Sequence, residues 1–114
     1  EKIHKYNNAG ETLTAVSFND NGDWVILTDK HYFSSNKLYM SAIQNGLRKY
    51  GQNKYAYIHE NGFICIYENG FVHEGSVPRS LRRKLNSISY KPNIVKFTGK
   101  SWIISGGTNC DCNF

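Results

Sequence analysis

The chain has 114 residues, enough for a single domain with a hydrophobic core of its own. Lys and Arg number 14 against 9 Asp and Glu, and the resulting net charge of +5 permits an anionic partner without requiring one. Aromatic residues make up 14% of the chain, which favours strands, and the apolar fraction of 39%, together with the hairpin signals described below, excludes a purely helical or a disordered protein.

Targeting signals are sparse in this sequence. No segment is apolar over the length of a membrane span, and no secretory leader is recognisable. The first residue is Glu rather than Met, which is compatible with removal of a leader. A secreted or periplasmic location and a cytoplasmic one are therefore equally expected.

The predicted elements begin with a polar arm and a three-stranded sheet. In residues 1–12 only Ile3 and Tyr6 offer apolar anchors, so a partly ordered arm or an edge strand is expected. Residues 13–35 contain three short apolar or aromatic runs. The turn sequence Asn-Asp-Asn-Gly at 19–22 separates the first two runs, as in a β-hairpin.

A helix is predicted to follow the first sheet, from Leu38 to Tyr50. Gly46 lies inside it and lowers its stability by about 1 kcal/mol relative to alanine. This helix should therefore be the weaker of the two predicted in the chain.

The middle of the chain, residues 55–86, has the clearest pattern. Asn61-Gly62 predicts a two-residue hairpin loop with both residues at positive φ. Phe63–Tyr67 is continuously apolar, as expected for a strand that is covered on both faces. A second turn leads to a third short strand, and Pro78 suits the first turn of a helix. The apolar stripe of that helix consists of Leu81, Leu85 and Ile88.

The last part of the chain predicts a third sheet with no helix after it. Pro92 ends any helical continuation before this sheet. The chain then divides into units at approximately 13–53, 54–92 and 93–114, which belong to a single domain.

A period of about 39 residues relates these three units. Trp24, Phe63 and Trp102 begin corresponding apolar strands at intervals of 39 residues, and Ser41 and Ser80 are separated by the same interval. A period shared by two hairpins and a helix indicates a tandem repeat. The predicted fold is α+β and mostly β, with three tandem antiparallel three-stranded units and a helix after each of the first two.

The middle unit resembles bacterial tandem β-β-β-α repeat proteins, whose units follow N-G-x-W-V-x-L and then G-Y-x-x-x-G-I-P-x-x-L-x-x-K-L. The resemblance covers most of the chain, but the first unit has Tyr39 in place of the proline and the third stops before its helix. It implies an interaction or structural module without catalytic residues, and no functional residue is carried over from it. The positions that match these tandem repeats are Asn61, Gly62, Gly70, Gly75, Pro78, Leu81, Lys84 and Leu85. Residues 54–66 also resemble short β-propeller repeats, but these have no helix and are the second choice.

Packing between the units is expected, because one three-stranded unit with a short helix cannot bury both faces of its middle strand. The units either stack as a short solenoid or close around a pseudo-axis, so that Trp24, Phe63 and Trp102 meet in shared layers. Since the third unit lacks a helix, its open end should be covered by the N-terminal arm, a second copy of the chain or a partner.

The densest charge cluster lies on the second predicted helix, opposite its apolar stripe. With basic residues of the first helix and nearby tyrosines, it is a candidate site for a nucleic-acid backbone. The alternative is a solvated helix face that keeps the protein soluble, and no nucleic-acid motif supports the first interpretation over the second. The candidate binding residues are Arg79, Arg82, Arg83, Lys84, Arg48 and Lys49.

The three cysteines argue against a fully paired disulfide framework because their number is odd. Cys110 and Cys112 share a strand face but lie too far apart for an easy disulfide. A disulfide from Cys65 to either of them, a zinc site with two further ligands, and free or interchain thiols are the open alternatives. A catalytic pair of Cys65 with His59 or His73 is disfavoured, since Cys65 lies in mid-strand, where a small buried residue is usual. No metal site or cofactor is predicted.

The sequence therefore predicts a non-catalytic interaction module for a protein, a peptide or a glycan. Binding of nucleic acid or another anionic polymer through the basic second helix is the alternative, and a cysteine-dependent enzyme is a third hypothesis. Salt separates the first two, because polyanion binding weakens steeply as salt is added.

Overall fold

A computed structural model of the protein describes residues 12–114. These residues form three antiparallel three-stranded sheets, and a helix follows each of the first two. The mostly β, α+β fold predicted from the sequence is thereby confirmed. Residues 1–11 of the predicted arm lie outside the described residues.

Each sheet is built from three consecutive strands, so no strand crosses from one unit into another. In chain order the elements are β1 (Leu13–Phe18), β2 (Trp24–Thr28), β3 (Tyr32–Ser34), α1 (Lys37–Tyr50), β4 (Asn53–His59), β5 (Gly62–Tyr67), β6 (Gly70–Gly75), α2 (Arg79–Ser87), β7 (Ile94–Thr98), β8 (Ser101–Gly106) and β9 (Asn109–Cys112).

Residues related by the sequence period occupy equivalent positions in the first hairpin of each unit. The hairpin of the first unit has a longer loop than the other two, which explains why Asn21-Gly22 and Asn61-Gly62 lie 40 residues apart and not 39. The equivalent cross-strand pairs are Phe18 with Trp24, Ile58 with Phe63, and Phe97 with Trp102.

The hairpin of the second unit differs from the predicted turn. Its loop consists of Glu60 and Asn61, and Glu60 has the positive φ, 53°. The prediction that Asn61 and Gly62 both have positive φ is wrong, because Gly62 already pairs with His59 in the sheet. A Cβ atom on Gly62 would overlap the carbonyl oxygen of Ser76, so close backbone approach requires glycine there.

The units stack in chain order, with the second between the first and the third. Strand β4 packs against β1 and β2 of the first unit and against β7 of the third. The backbone N–H of Ile58 donates to Ser17 Oγ at 2.9 Å, and Tyr57 OH donates to the carbonyl of Phe97 at 3.3 Å. Of the two predicted arrangements the structure has the solenoid-like stack.

Strand β5 runs between two hydrophobic cores. Phe63, Cys65 and Tyr67 lie in the core shared with the first unit, whereas Ile64 and Ile66 lie in the core shared with the third. All six residues of the strand are buried. This confirms the prediction of a strand that is covered on both faces.

Gly46 lies where helix α1 packs closely on the second sheet. The ring of Tyr67 occupies the space next to it, and the Tyr67 hydroxyl donates a 2.8 Å hydrogen bond to the carbonyl of Ile43. A Cβ atom at position 46 would overlap that ring. The glycine that lowers helix propensity is therefore required by the packing of the helix.

Candidate functional site

The first candidate site is the side of the first sheet that points away from the second unit, which we call the first-unit face. Ala15, Val25 and Leu27 lie in the core shared with the second unit, and strand alternation places their neighbours on the opposite side. A β-bulge adds Leu13 to that side, because Leu13 pairs with Thr28. The first-unit face consists of Leu13, Val16, Phe18, Trp24 and Ile26.

Three side chains of the first-unit face are exposed to solvent. Phe18 is 73% exposed, Leu13 39% and Val16 36%. Ile26 lies between Val16 and Phe33 in the sheet and is buried. Single exposed apolar residues are ordinary, whereas neighbours on one sheet face form a patch that favours association.

The same positions of the second unit are covered by a neighbouring unit. Trp24 corresponds to Phe63, which stacks on Tyr39 with ring centroids 4.5 Å apart. Phe18 corresponds to Ile58, which lies in the core between the first and second units. The first-unit face therefore presents outward the residue types that the second unit uses to receive a neighbour.

The opposite end of the stack is the side of the third sheet that points away from the second unit, which we call the third-unit face. Val95, Phe97 and Ile104 lie in the core shared with the second unit, so strand alternation again identifies the outer side. This face combines two isoleucines with polar and thiol side chains. Its residues include Ile94, Lys96, Ile103, Ser105, Cys110 and Cys112.

The two helices run in the same direction over the sheets that follow them. Tyr39, near the start of α1, stacks on Phe63 in the first half of β5. Ser80, near the start of α2, accepts a 2.8 Å hydrogen bond from the indole N–H of Trp102 in the first half of β8. The N-terminal end of each helix thus lies over the same part of the next sheet.

The basic residues that the sequence predicted as one site lie on two different helices. Arg48 and Lys49 lie in the last turn of α1, whereas Arg79 begins α2 and Arg83 lies at its middle. Whether they act as one site stays a prediction.

Lys84, another member of the predicted basic set, forms an ion pair within the protein. Its Nζ lies 3.5 Å from Asp111 Oδ1, and Tyr90 OH donates a 2.6 Å hydrogen bond to Asp111 Oδ2. The hydrogen bond from Tyr90, together with the charge of Lys84, lowers the pKa of Asp111. Arg82, the remaining member on α2, is partly buried.

Cys65 lies in a different environment from the other two cysteines. It pairs with Ala56 and Val72 in the second sheet and is completely buried in the core shared with the first unit. Burial raises the pKa of its thiol to about 12, so the thiol stays protonated at neutral pH. Cys110 and Cys112 are exposed on the third-unit face, and all three thiols are free. Of the open alternatives, a disulfide with Cys65 is therefore excluded by position.

The two histidines considered as catalytic partners do not face Cys65. His73 pairs with Ile64, whose side chain points to the third unit, and His59 stacks on Tyr57 on the same side of the sheet. Cys65 points to the first unit. Among residues 12–114, no group of three His, Cys, Asp or Glu side chains converges as a set of metal ligands.

A groove of about 320 Å³ lies in the second unit, between its second turn and the linker that leads to the third unit. The turn at Glu68–Gly70 borders one side and the linker at Ser89–Pro92 borders the other. Lys91 Nζ lies 3.5 Å from Asn69 Oδ1. Sequence analysis missed this groove because its walls come from a turn and a linker that are distant in the chain. The only signal was an aromatic and a basic residue together in that linker.

The fold and its two outer faces define a stacked protein of β-β-β units with two connecting helices. Comparison of the chain with family models, curated proteins and solved structures finds no match. The resemblance of the middle unit to bacterial tandem repeats thus stays a prediction. In the part of the chain that the structure describes, no helix is long and apolar enough to cross a membrane.

Proposed function

We propose that the chain is a non-catalytic interaction module that binds a protein or peptide partner through the first-unit face. The observation that carries this proposal is the exposure of Phe18, Val16 and Leu13 on one sheet face. The equivalent face of the second unit is buried by a neighbouring sheet. The resemblance of the middle unit to interaction repeats supports the same function.

The chemistry of this face favours an apolar partner over a glycan. The side chains of Leu13 and Val16 offer no hydrogen-bonding groups. Phe18 and Trp24 add aromatic surface to the same face. Burial of such area contributes about 25 cal/mol per Å² of apolar surface removed from water. A partner that presents apolar side chains gains this free energy, whereas sugar hydroxyl groups would lose their hydrogen bonds to water.

The edge of the first-unit face is fixed before a partner binds. The Asn19 side-chain amide donates to the carbonyl of Glu60 at 2.6 Å, and the Asn21 amide donates to Asn61 Oδ1 at 3.3 Å. These bonds join the loop beside Phe18 to the loop of the second unit. A surface held in place in this way loses less conformational entropy on binding.

A polyanion is the second candidate ligand, supported by the exposed Arg79 and Arg83 on α2 and by the net charge of +5. Such a ligand would bind to the helical side of the stack and not to the first-unit face. Arg48 and Lys49 lie on α1 and not on α2, and Lys84 is paired with Asp111, so this candidate has less support.

Peptide selection tests the proposal directly. A random peptide library displayed on phage is selected against the full chain, and the enriched peptides are measured by fluorescence anisotropy. Phe18→Ser should weaken their binding about tenfold or more, because it removes the largest exposed ring of the face. Binding should change little with added salt.

Leu38→Ser is the matched control. Leu38 is 64% exposed but lies on α1, so its loss should leave peptide binding unchanged. Equal binding of the enriched peptides to the parent and to Phe18→Ser would overturn the proposal. Enrichment of acidic peptides that lose affinity with salt and with Arg83→Ser would favour the polyanion instead.

A further inference from the structure

Strand β9 is hydrogen-bonded to β8 and to no other described strand, so it forms an edge of the third sheet. An edge strand presents N–H and C=O groups that a second strand can pair with. The backbone N–H of Asn113 donates to the carbonyl of Trp102 at 3.3 Å, toward β8. Because these directions alternate along a strand, the N–H and C=O groups of Cys110 and Cys112 point to the outer edge.

The side chains of β9 separate by chemistry between the two sides of the sheet. Cys110 and Cys112 are exposed on the third-unit face. Asp111 points to the opposite side, where Tyr90 and Lys84 hold its carboxylate at 2.6 and 3.5 Å. The two thiols therefore lie one on each side of Asp111 in the strand. They belong to the two residues whose backbone N–H and C=O groups point to the outer edge.

We propose that two copies of the chain pair antiparallel through β9 about a two-fold axis at Asp111, with Cys110 of each copy disulfide-bonded to Cys112 of the other. This inference is independent of the proposed function, because it uses the opposite end of the stack. It assigns a role to two thiols that the proposed function does not use.

The geometry of antiparallel strands supports this register. Cys110 of one copy and Cys112 of the other form a hydrogen-bonded pair, for which Cα atoms lie about 5.5 Å apart. That distance is in the middle of the range found for disulfides. Within one chain the two Cα atoms lie about 6.7 Å apart along the strand, near the upper limit of that range. The symmetric pairing also forms four backbone hydrogen bonds, two for each Cys110–Cys112 pair.

The pairing brings Asp111 of the two copies opposite each other, which would be unfavourable for two isolated carboxylates. Each carboxylate, however, is turned to the inner side of its sheet and lies beside Lys84 of the same copy. The positive charge of Lys84 offsets the repulsion between the two copies.

An oxidant is needed, and a disulfide such as oxidised glutathione supplies it. A cysteine thiolate of one copy attacks a glutathione sulfur, which forms a mixed disulfide and releases one glutathione thiolate. The opposing cysteine thiolate of the other copy then attacks the protein sulfur of that mixed disulfide and releases the second glutathione. For each bond the two cysteines lose two protons and two electrons, and one oxidised glutathione becomes two reduced molecules.

The test uses the full chain incubated with oxidised glutathione and separated without reductant. The parent should form a species of twice the chain mass that dithiothreitol reverses, and peptide mapping should find Cys110 joined to Cys112. Cys110→Ser alone should stay monomeric, because its Cys112 lies opposite Ser at position 110 of the second copy. Cys112→Ser alone should stay monomeric for the same reason.

A mixture of the two single variants is the decisive sample. In the proposed register one Cys112 meets one Cys110, so the mixture should regain a covalent dimer with a single disulfide. Cys65→Ala, which changes only the buried thiol, should dimerise like the parent. The proposal is overturned if the parent stays monomeric, if either single variant alone dimerises as fully as the parent, or if the mixture does not exceed them.

Discussion

The two outer faces of the stack are built on the same kind of sheet but differ in the residues they present. At the first-unit face, four positions that are apolar in the buried second unit are apolar again. At the third-unit face, four positions that carry aromatic, imidazole or aliphatic side chains in the second unit carry smaller or charged ones. The first-unit residues are Val16, Phe18, Trp24 and Ile26, and the third-unit residues are Lys96, Ser105, Cys110 and Cys112.

This difference shows that the hairpin framework and the outer surface of a unit vary independently. The cross-strand pairs of the first hairpin repeat in all three units, while the outward positions change their polarity. A polar outer face is stable in water without a neighbour, as in the terminal repeats of other stacked proteins. An apolar outer face gains free energy when a neighbour covers it, and this asymmetry is consistent with the proposal that a partner binds to the first-unit face.

The largest expected effect is the loss of stability on mutation of a buried position, compared with the same mutation on an outer face. Phe63→Ala should lower the free energy of unfolding by about 3–5 kcal/mol, because Phe63 is fully buried between two units. The matched change Phe18→Ala should alter it by less than about 0.5 kcal/mol, since Phe18 is 73% exposed. Urea unfolding of both variants gives the two values. Equal losses would contradict the division between a covered and an outer face.

A smaller loss is expected from Gly46→Ala, at the junction behind the first-unit face. Alanine favours the helix by about 1 kcal/mol, but its Cβ atom would overlap the Tyr67 ring. We expect a net loss of about 1–3 kcal/mol, as for other overpacked cores. In a Tyr67→Ala background the same change should become neutral or stabilising, which a double-mutant cycle by urea unfolding would measure. An unchanged cost in that background would show that the ring is not the cause.

The sequence was sufficient to predict the framework and not the packing of one element on another. Alternating hydrophobicity, turn residues and a constant period are local or periodic signals, so they located three sheets and two helices. Gly46 shows what such signals miss: its helix-breaking tendency is visible in the sequence, whereas the Tyr67 ring that requires it is not. Lys84 belonged to a basic run by sequence, but its partner Asp111 lies on a strand of the next unit. The polarity of an outer face likewise depends on which side of each strand a neighbour covers.

Grafting second-unit residues onto the third-unit face should remove the difference between the two ends. Lys96 and Ser105 correspond to Tyr57 and Ile66, so the double variant Lys96→Tyr and Ser105→Ile enlarges the apolar area beside Ile103. Its apparent mass should rise with concentration in sedimentation experiments that include dithiothreitol, because the enlarged patch gains free energy from burial. The double variant Lys96→Ser and Ser105→Thr serves as a polar control and should stay monomeric. Monomeric behaviour of both variants would show that apolar area alone does not cause self-association at an end of the stack.

The smallest expected effect is on the pH dependence of stability, and it depends on how the two outer units are attached to the second. Neutral hydrogen bonds from Asn19 and Asn21 join the first unit to the second, whereas an ion pair between Lys84 and Asp111 joins α2 to the third. The pKa of Asp111 is lower in the folded protein than in the unfolded chain. Its contribution to stability is therefore complete above the unfolded pKa of about 3.9 and is lost as pH falls through the lower folded value.

Asp111→Asn should consequently flatten the pH dependence of unfolding between about pH 5 and pH 2 and leave the slope above that range unchanged. Urea unfolding midpoints measured across this range for the parent and the variant provide the comparison. Asp20→Asn, in the exposed loop beside the first-unit face, is the control and should keep the slope of the parent. If the curves of Asp111→Asn and the parent stay parallel down to about pH 2, the ion pair contributes nothing measurable. The attachment of the third unit would then depend on its apolar core and neutral hydrogen bonds, as the attachment of the first unit does at every pH.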